Sequence, residues 1–420
     1  MVRPTLRRFA CPRRLAAAAC LLLSALALSA CNGTLLGTSA TPQAGTPALP
    51  PSVATAPPAP VTPPPEGPPT ALPPSSAAAG KVRVAILLPL TGTSAALGNA
   101  MLDAAQMALY EVADEKLELR PRDTQGTPQA AAEAARAALA DGARLIIGPL
   151  LAAEVEAVKP IAHAADVPVI AFSTATQLAG DGTYLIGFLP RQEIERVTAF
   201  AHSKGATRFA VLAPRTAYGE IAVEALRDAT QANASTLDRI DYYDPTTQDL
   251  TPVVKRFAAG RNYDAVLLPE GGAKLRAVAP LLPYYDIDPD KVHFLGTGLW
   301  DEPGTATEPA LSGGWYAAPP PGARTDFERQ FQDLYRRAPP RLATLAYDAT
   351  ALAAVLAHGE NGADFSAAAL TNPSGFAGID GIFRLLSNGL VQRGLAVLEV
   401  HRGGNTVIDP APNTFQAQGF

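Results

Sequence analysis

The chain is poor in the parts that chemistry is usually made from. Its five histidines, His163, His202, His293, His358 and His401, are scattered, with no pair at ligand spacing and no H-E-x-x-H, so metal-assisted catalysis lacks its donors. Beyond residue 80 there is no G-x-S-x-G elbow to raise a serine nucleophile. Cysteine is rarer still: of three, Cys11 and Cys20 fall in a leading segment with the marks of one that is removed, which leaves Cys31 alone and excludes an intramolecular disulfide. Phosphate cradles fail on their details. In KVRVAILLPLTGTSAALGNA, Lys81 to Ala100, a glycine-bearing loop joins a strand pattern to a helix pattern, but Asn99 and Ala100 follow Gly98 where a Walker loop needs Lys and Ser or Thr. GTGLWD, Gly296 to Asp301, puts Asp301 where a dinucleotide fingerprint needs its third glycine. Charged residues are only 17% of the chain and form no basic stripe, so nucleic acid is not expected as a partner. The expectation is a chain with no catalytic residue, no metal and no cofactor.

What is present begins at the amino terminus. Arg3, Arg7, Arg8, Arg13 and Arg14 precede an apolar run from Leu15 to Leu28, then small residues: the layout of an export signal over residues 1–30. The run is shorter than the roughly 20 residues a membrane-spanning helix needs. Leu28, Ser29, Ala30 and Cys31 resemble a bacterial lipobox. That resemblance implies that Cys31 becomes the first mature residue and carries acyl chains. Asn32 is not the aspartate that retains many such proteins at the inner membrane, so an outer-membrane, periplasm-facing position is expected. Several acyl chains, at about 0.8 kcal/mol per buried CH2, hold a protein stably. Removing five arginines takes the formal net charge from −5 to −10.

Residues 31–80 follow as a linker. From Thr41 to Gly80, fourteen of the forty prolines occur with a single charge, Glu66, a composition that cannot bury enough apolar surface to fold. In polyproline conformation such a spacer reaches on the order of 100 Å. Past Gly80, strand and helix patterns alternate. VRVAILLPL, LELRPRDT, RLIIGPL, VPVIAFST and TYLIGFLP read as strands in a first series, separated by helix patterns at 98–112, 128–139 and 155–165. A second series holds RFAVLAP, AVLLPE and FLGTG, with helices at 191–203, 219–232 and 272–282. Helices over 325–336 and 342–358 come next, then strands around an Asn388–Gly389 turn. The fold class is α/β, with parallel sheets wrapped by helices.

These motifs together, AILLPLTGTSAALG, DTQGTP, LIIGP, VPVIAFST, VLAPRTAYGE and GIDGIFRLLSNG, resemble the type I periplasmic-binding-protein fold and its branched-chain amino-acid receptors. The resemblance covers residues 81 to about 405. It implies two doubly wound αβ lobes within 81–420, lobe 1 about 81–187 plus 316–375 and lobe 2 about 188–315 plus 376–405. Three crossings, near Phe188, Trp315 and Phe376, would join them over a ligand cleft at the carboxyl ends of the strands. Candidate cleft residues are Thr91, Thr93 and Ser94 in the first loop, and Ser173 and Thr174 where the family places carboxylate donors. Tyr218 matches its ligand-facing tyrosine, Glu270 is an acid that could supply a negative charge, and Thr297 follows the FLG strand where receptors present an acid for the ammonium. Other features of the amino-acid site are missing: Leu151 and Ala152 replace a serine-rich turn, and Leu97 an aromatic lid.

Those departures resemble another branch of the fold, the carboxyl domain of outer-membrane lipoprotein activators of penicillin-binding proteins. The stretches that carry this are Gly148 to Glu156, Gly187 to Arg196 and Val211 to Arg215. The helical-repeat domain of the branch's best-known members is absent here. The expectation is a non-enzymatic activator of a bifunctional penicillin-binding protein, membrane-held through its lipid. The alternative is the substrate-binding lipoprotein of an ABC-type transporter for branched-chain amino acids or amides. A third reading, a sensor that needs a small amino-acid-like ligand before docking its partner, uses the same hinged lobes.

Overall fold

A computed structural model describes residues 81–112, 116–260, 262–359 and 362–415. The export signal, Cys31 and the linker therefore lie outside the described residues.

The opening run VRVAILL forms β1 (Val82–Leu88), whose last five residues are all buried. A strand covered on both faces has no reason to alternate, which is why it reads as a continuous apolar run. It is followed by α1 (Ala95–Val112), β2 (Leu117–Asp123), α2 (Pro128–Ala140), β3 (Leu145–Ile147), α3 (Ala152–Ala164), β4 (Val169–Ala171) and β5 (Thr183–Leu185). The strands make a five-stranded parallel sheet in the order β2-β1-β3-β4-β5. On one face α2 and α3 bury small side chains, Ala131, Ala135, Val155 and Val158, against Ala85 and Leu87.

The second lobe runs α4 (Pro190–Ser203), β6 (Arg208–Pro214), α5 (Ala217–Ala232), β7 (Thr236–Tyr243), α6 (Thr251–Ala258), β8 (Ala265–Leu267), α7 (Gly272–Val278), α8 (Leu281–Tyr284), β9 (His293–Gly296) and β10 (Trp315–Ala318). The single helix expected over 272–282 is broken at Ala279–Pro280, because a proline interior to a helix removes a donor and clashes with the preceding turn. The half-buried strand β7, with Asp238, Arg239 and Asp241 along it, was not read from the sequence; it lies at the sheet edge, where charges are tolerated.

The chain then returns: α9 (Pro321–Tyr335), α10 (Ala343–Ala357), α11 (Ala367–Leu370), β11 (Phe376–Gly378), β12 (Gly381–Leu385), β13 (Val391–Arg393), β14 (Ala396–His401) and β15 (Gly404–Asp409). Helix α10, apolar nearly all round, is sandwiched between the first sheet and α1 and α9. Strands β14 and β15 extend the second sheet antiparallel, completing the seven-stranded order β15-β14-β10-β9-β8-β6-β7.

Two boundaries differ from the sequence expectation. The second crossing is not at Trp315, which belongs to β10 in the second sheet, but at Pro319 and Pro320. The third is not near Phe376: β11, β12 and β13 form a separate antiparallel sheet, order β11-β12-β13, whose Phe383, Leu385 and Val391 pack into the first lobe's core. The chain crosses only at Gly394 and Leu395, and lobe 2 resumes with β14, ending at Asp409. The first crossing occupies residues 186–189 and includes Phe188.

Both lobes open on the same device. A proline ends the leading strand or follows it, and a glycine in the next helix presses against that proline's carbonyl: Gly98 on Pro89, Gly219 on Pro214. A Cβ at either position would overlap the carbonyl oxygen, and backbone cannot swing aside as a flexible side chain can. We expect Gly98→Ala and Gly219→Ala each to lower stability by about 1–3 kcal/mol or more, read from the urea midpoint. Gly322→Ala, in α9 with open space around it, should be neutral.

Candidate functional site

Between the lobes lies a cleft of about 740 Å3. Its walls come from the loop before α1 and that helix's first turn (Ser94, Leu97), the β3–α3 turn (Leu150, Leu151), the residues after β4 (Phe172, Ser173, Thr174), the start of α5 (Tyr218, Ile221) and the turn after β9 (Gly298, Leu299, Asp301). Phe188, Glu193 and Arg341 form the side nearest the crossings.

The candidate residues separate into three groups. Ser94, Ser173, Thr174 and Tyr218 line the cleft. Thr297 is fully buried just behind it; its Oγ1 lies 2.8 Å from the Tyr218 hydroxyl and accepts from Leu299 N, tying α5 to the end of β9. Burial, with Glu193 nearby, pushes the Tyr218 phenol well above its usual range. Thr91, Thr93 and Glu270 are not brought to the cleft wall. Thr91 Oγ1 donates to Asp123 Oδ2 at 2.7 Å, and Asp123 Oδ1 accepts from Leu90 N and Gln125 N, so this threonine locks the loop to β2. Partial burial works against the Asp123 carboxylate, yet these donors hold it below its ordinary value. Thr93 is exposed. Glu270 accepts from the Tyr243 hydroxyl and from its neighbour Gly271 N, within the second lobe.

Sequence reasoning passed over Glu193. It sits in the first turn of α4, which starts at Pro190, a residue that suits the first helical position because its missing N–H would be unpaired there anyway. Glu193 is 5% exposed, and its Oε2 accepts from Gly298 N at 2.8 Å. A side chain at 298 would put a Cβ 2.6 Å from Glu193 Oε1, so the second glycine of GTGLWD is what admits this acid. Burial raises the Glu193 carboxyl to about 7, against the opposing pull of Gly298 N–H and of Arg341. The available signal was an acid three residues after Pro190, immediately past the first crossing.

Around Glu193 the three crossings are cross-braced. The Arg341 and Arg393 guanidinium groups lie 4.2 and 5.0 Å from the Phe188 ring centroid. Arg393 donates from Nη2 to Ile186 O at 2.6 Å, joining the third crossing to the first. Arg341 pairs with Asp380 at 2.8 Å, and Thr344 Oγ1 donates to the same carboxylate. Arg324 of α9 grips Asp301 with both terminal nitrogens, a bond between the lobes. Asp348, buried close to Asp380, has its carboxyl pushed up by burial and by that neighbour.

A family model described as periplasmic binding protein matches residues 81–405. No curated protein matches the chain. Among solved structures, a candidate branched-chain amino-acid ABC transporter protein from Rhodospirillum rubrum is 20% identical, with TM-score 0.69, covering 78% of this chain and 100% of its own. The branched-chain amino-acid substrate-binding protein of Streptococcus pneumoniae, solved with isoleucine, is 17% identical with TM-score 0.58, covering 79% and 100%. A solute-binding protein from R. palustris, solved with benzoate, is 18% identical with TM-score 0.57, covering 81% and 98%. These likenesses show the type I fold, two α/β lobes with the ligand cleft between them.

Because Glu193 binds its proton more tightly when folded, its contribution to stability is fully present below about pH 4.5 and is lost as pH rises through about 7. Glu193→Gln removes that dependence. The variant's stability relative to the parent should rise by on the order of 3 kcal/mol between pH 4.5 and pH 8. Urea melts at the two pH values measure it; a difference that does not change with pH contradicts the raised acid.

Proposed function

The chain belongs to the periplasmic binding protein family, and we propose that it is the solute-binding component of a transport or sensing system, closing its lobes on a small organic ligand without chemical change. The carrying observation is the interlobe cleft, apolar on most of its wall, with the buried Glu193 carboxyl, in no ion pair among the described residues, facing it. Its volume of about 740 Å3 falls in the range of roughly 300–1,000 Å3 typical of small-molecule sites. Isoleucine and benzoate in two structures of the same fold support a ligand of this size class. Export and an acylated Cys31 would place the head in the periplasm on the outer membrane, with the Pro-rich stretch as its tether; this part of the proposal rests on sequence alone.

The second reading, a non-enzymatic activator of a bifunctional penicillin-binding protein, is favoured by the loss of the serine-rich turn at Leu151 and Ala152. The stretches that carry it, however, have work inside the fold. Glu154 Oε2 caps Leu151 N at 3.0 Å. Arg196 holds Leu395 O at 3.0 Å and Asp409 at 2.6 Å, bracing the third crossing. Arg215 stacks on Tyr242, its guanidinium 5.1 Å from the ring centroid. These contacts within the chain give those motifs a role without a partner.

A ligand that binds only the folded chain adds about 2.7 kcal/mol at a hundredfold excess over its Kd. A thermal-shift panel of amino acids, small amides and aromatic acids and amines should therefore give at least one rise of a few degrees. A panel with no shift, together with micromolar capture of a bifunctional penicillin-binding protein and a changed transpeptidase rate, would reverse the order of the two readings.

A further inference from the structure

Charges facing the cleft decide which ligand it can take, and among the described residues three supply them: Glu193, Asp301 and Arg341. Two are already spent. Asp301 accepts from both terminal nitrogens of Arg324 and from the Tyr316 hydroxyl at 3.3 Å, with Arg341 Nε 3.6 Å away. Arg341 gives its terminal nitrogens to Asp380, at 2.8 and 3.2 Å, and to Thr344 Oγ1 at 3.0 Å, while its plane covers Phe188. Glu193 differs. Oε2 takes the Gly298 N–H, and Oε1 takes no hydrogen bond among the described residues although the side chain lines the cleft.

Donors for an anionic ligand, apart from the engaged Arg341, are neutral ones: the hydroxyls of Ser94, Ser173, Thr174 and Tyr218 and the Gln177 amide line the cleft. The Leu151 N–H, at the start of α3 where a carboxylate could be held, is occupied by Glu154 Oε2. Ser173 retains one hydroxyl proton, its oxygen accepting from Ala175 N at 3.2 Å. Thr174 is exposed. No guanidinium on the wall is free. A buried carboxylate without a cation costs several kcal/mol, so neither an organic acid nor the carboxyl end of an amino acid finds a counter-charge on this wall. Elsewhere the wall is apolar: Leu97, Leu150, Leu151, Phe172, Ile221 and Leu299.

We infer that the ligand is a hydrophobic amine, its ammonium paired with Glu193 and its body against the apolar wall, with no carboxylate of its own. The inference rests on the solute-binding reading above and narrows it. The proton balance follows from the surroundings. Glu193 feels Arg341 and Arg393 as opposing charges and Asp301 as a like one, with the Tyr218 phenol neutral beside it. Burial leaves it about half protonated near pH 7. The ammonium therefore displaces the carboxyl proton, which leaves to solvent, and the carboxylate–ammonium pair forms in its place.

Three probes with one ring separate the charges: 2-phenylethylamine, 3-phenylpropanoate and phenylalanine, titrated calorimetrically into the full chain in two buffers of different ionisation enthalpy. The amine should bind at least tenfold tighter than the other two, releasing up to one proton. Its affinity should fall about tenfold per pH unit as pH drops below about 7, since only ionised Glu193 pairs with it. Glu193→Gln, whose amide oxygen can still accept from Gly298 N, should melt cooperatively yet lose tenfold or more in amine affinity, with no proton release. Tighter binding of the acid or of phenylalanine, or binding with proton uptake, overturns the inference and leaves the solute-binding reading standing. So does binding confined to other members of the amino-acid and amide panel. Silence from every compound in both panels removes the solute-binding reading itself.

Discussion

Two guanidinium groups, Arg341 and Arg393, lie against the ring of Phe188 in the first crossing, and the space around it must hold charges that water can barely reach. Arg393 and Asp380 are buried there, Arg341 and Asp301 partly so, and each must find partners within the protein. Leaving one such charge without its mate typically costs about 3–5 kcal/mol. Geometry at the crossings is therefore tightly prescribed. Asp301 has to be where Arg324 and Arg341 can reach it, Asp380 where Arg341 and Thr344 meet, and Arg393 where Ile186 offers its carbonyl.

The cleft inherits its character from this arrangement. Since the guanidinium groups are consumed in holding the crossings together, they are not available to a ligand, and the one acid left facing inward is held up by burial rather than by pairing. The apolar wall is the complement: where Leu151 and Ala152 stand, the Leu151 N–H at the start of α3 is taken by Glu154 of the same helix. The same helix-end chemistry that could bind an anion has been turned inward.

Much of the scaffold was legible in the sequence because parallel strands buried on both faces announce themselves as short apolar runs, as VRVAILL, RFAVLAP and AVLLPE do. Edge strand β7 was not, since half of it faces solvent and its charges mask the period. The third crossing was misplaced because the strands around Asn388–Gly389 are three to five residues long, and nothing local says whose core Phe383 and Val391 enter. At the cleft, hydroxyl residues at strand ends could be read directly, and Ser173 and Tyr218 do face it. Glu193 could not, because its role depends on Gly298, 105 positions further along. Glu270 and Thr91 show the converse: the right residue type at a loop, engaged by a neighbouring tyrosine or aspartate instead.

The strand that first enters the folded head, β1, has neighbours on both sides. β1 is paired along all seven residues with β2 and at three with β3, every pair parallel. A pull directed along this strand's axis would load the ladders on both flanks in shear, and not one rung at a time. The folded head thus begins with a strand held on both sides.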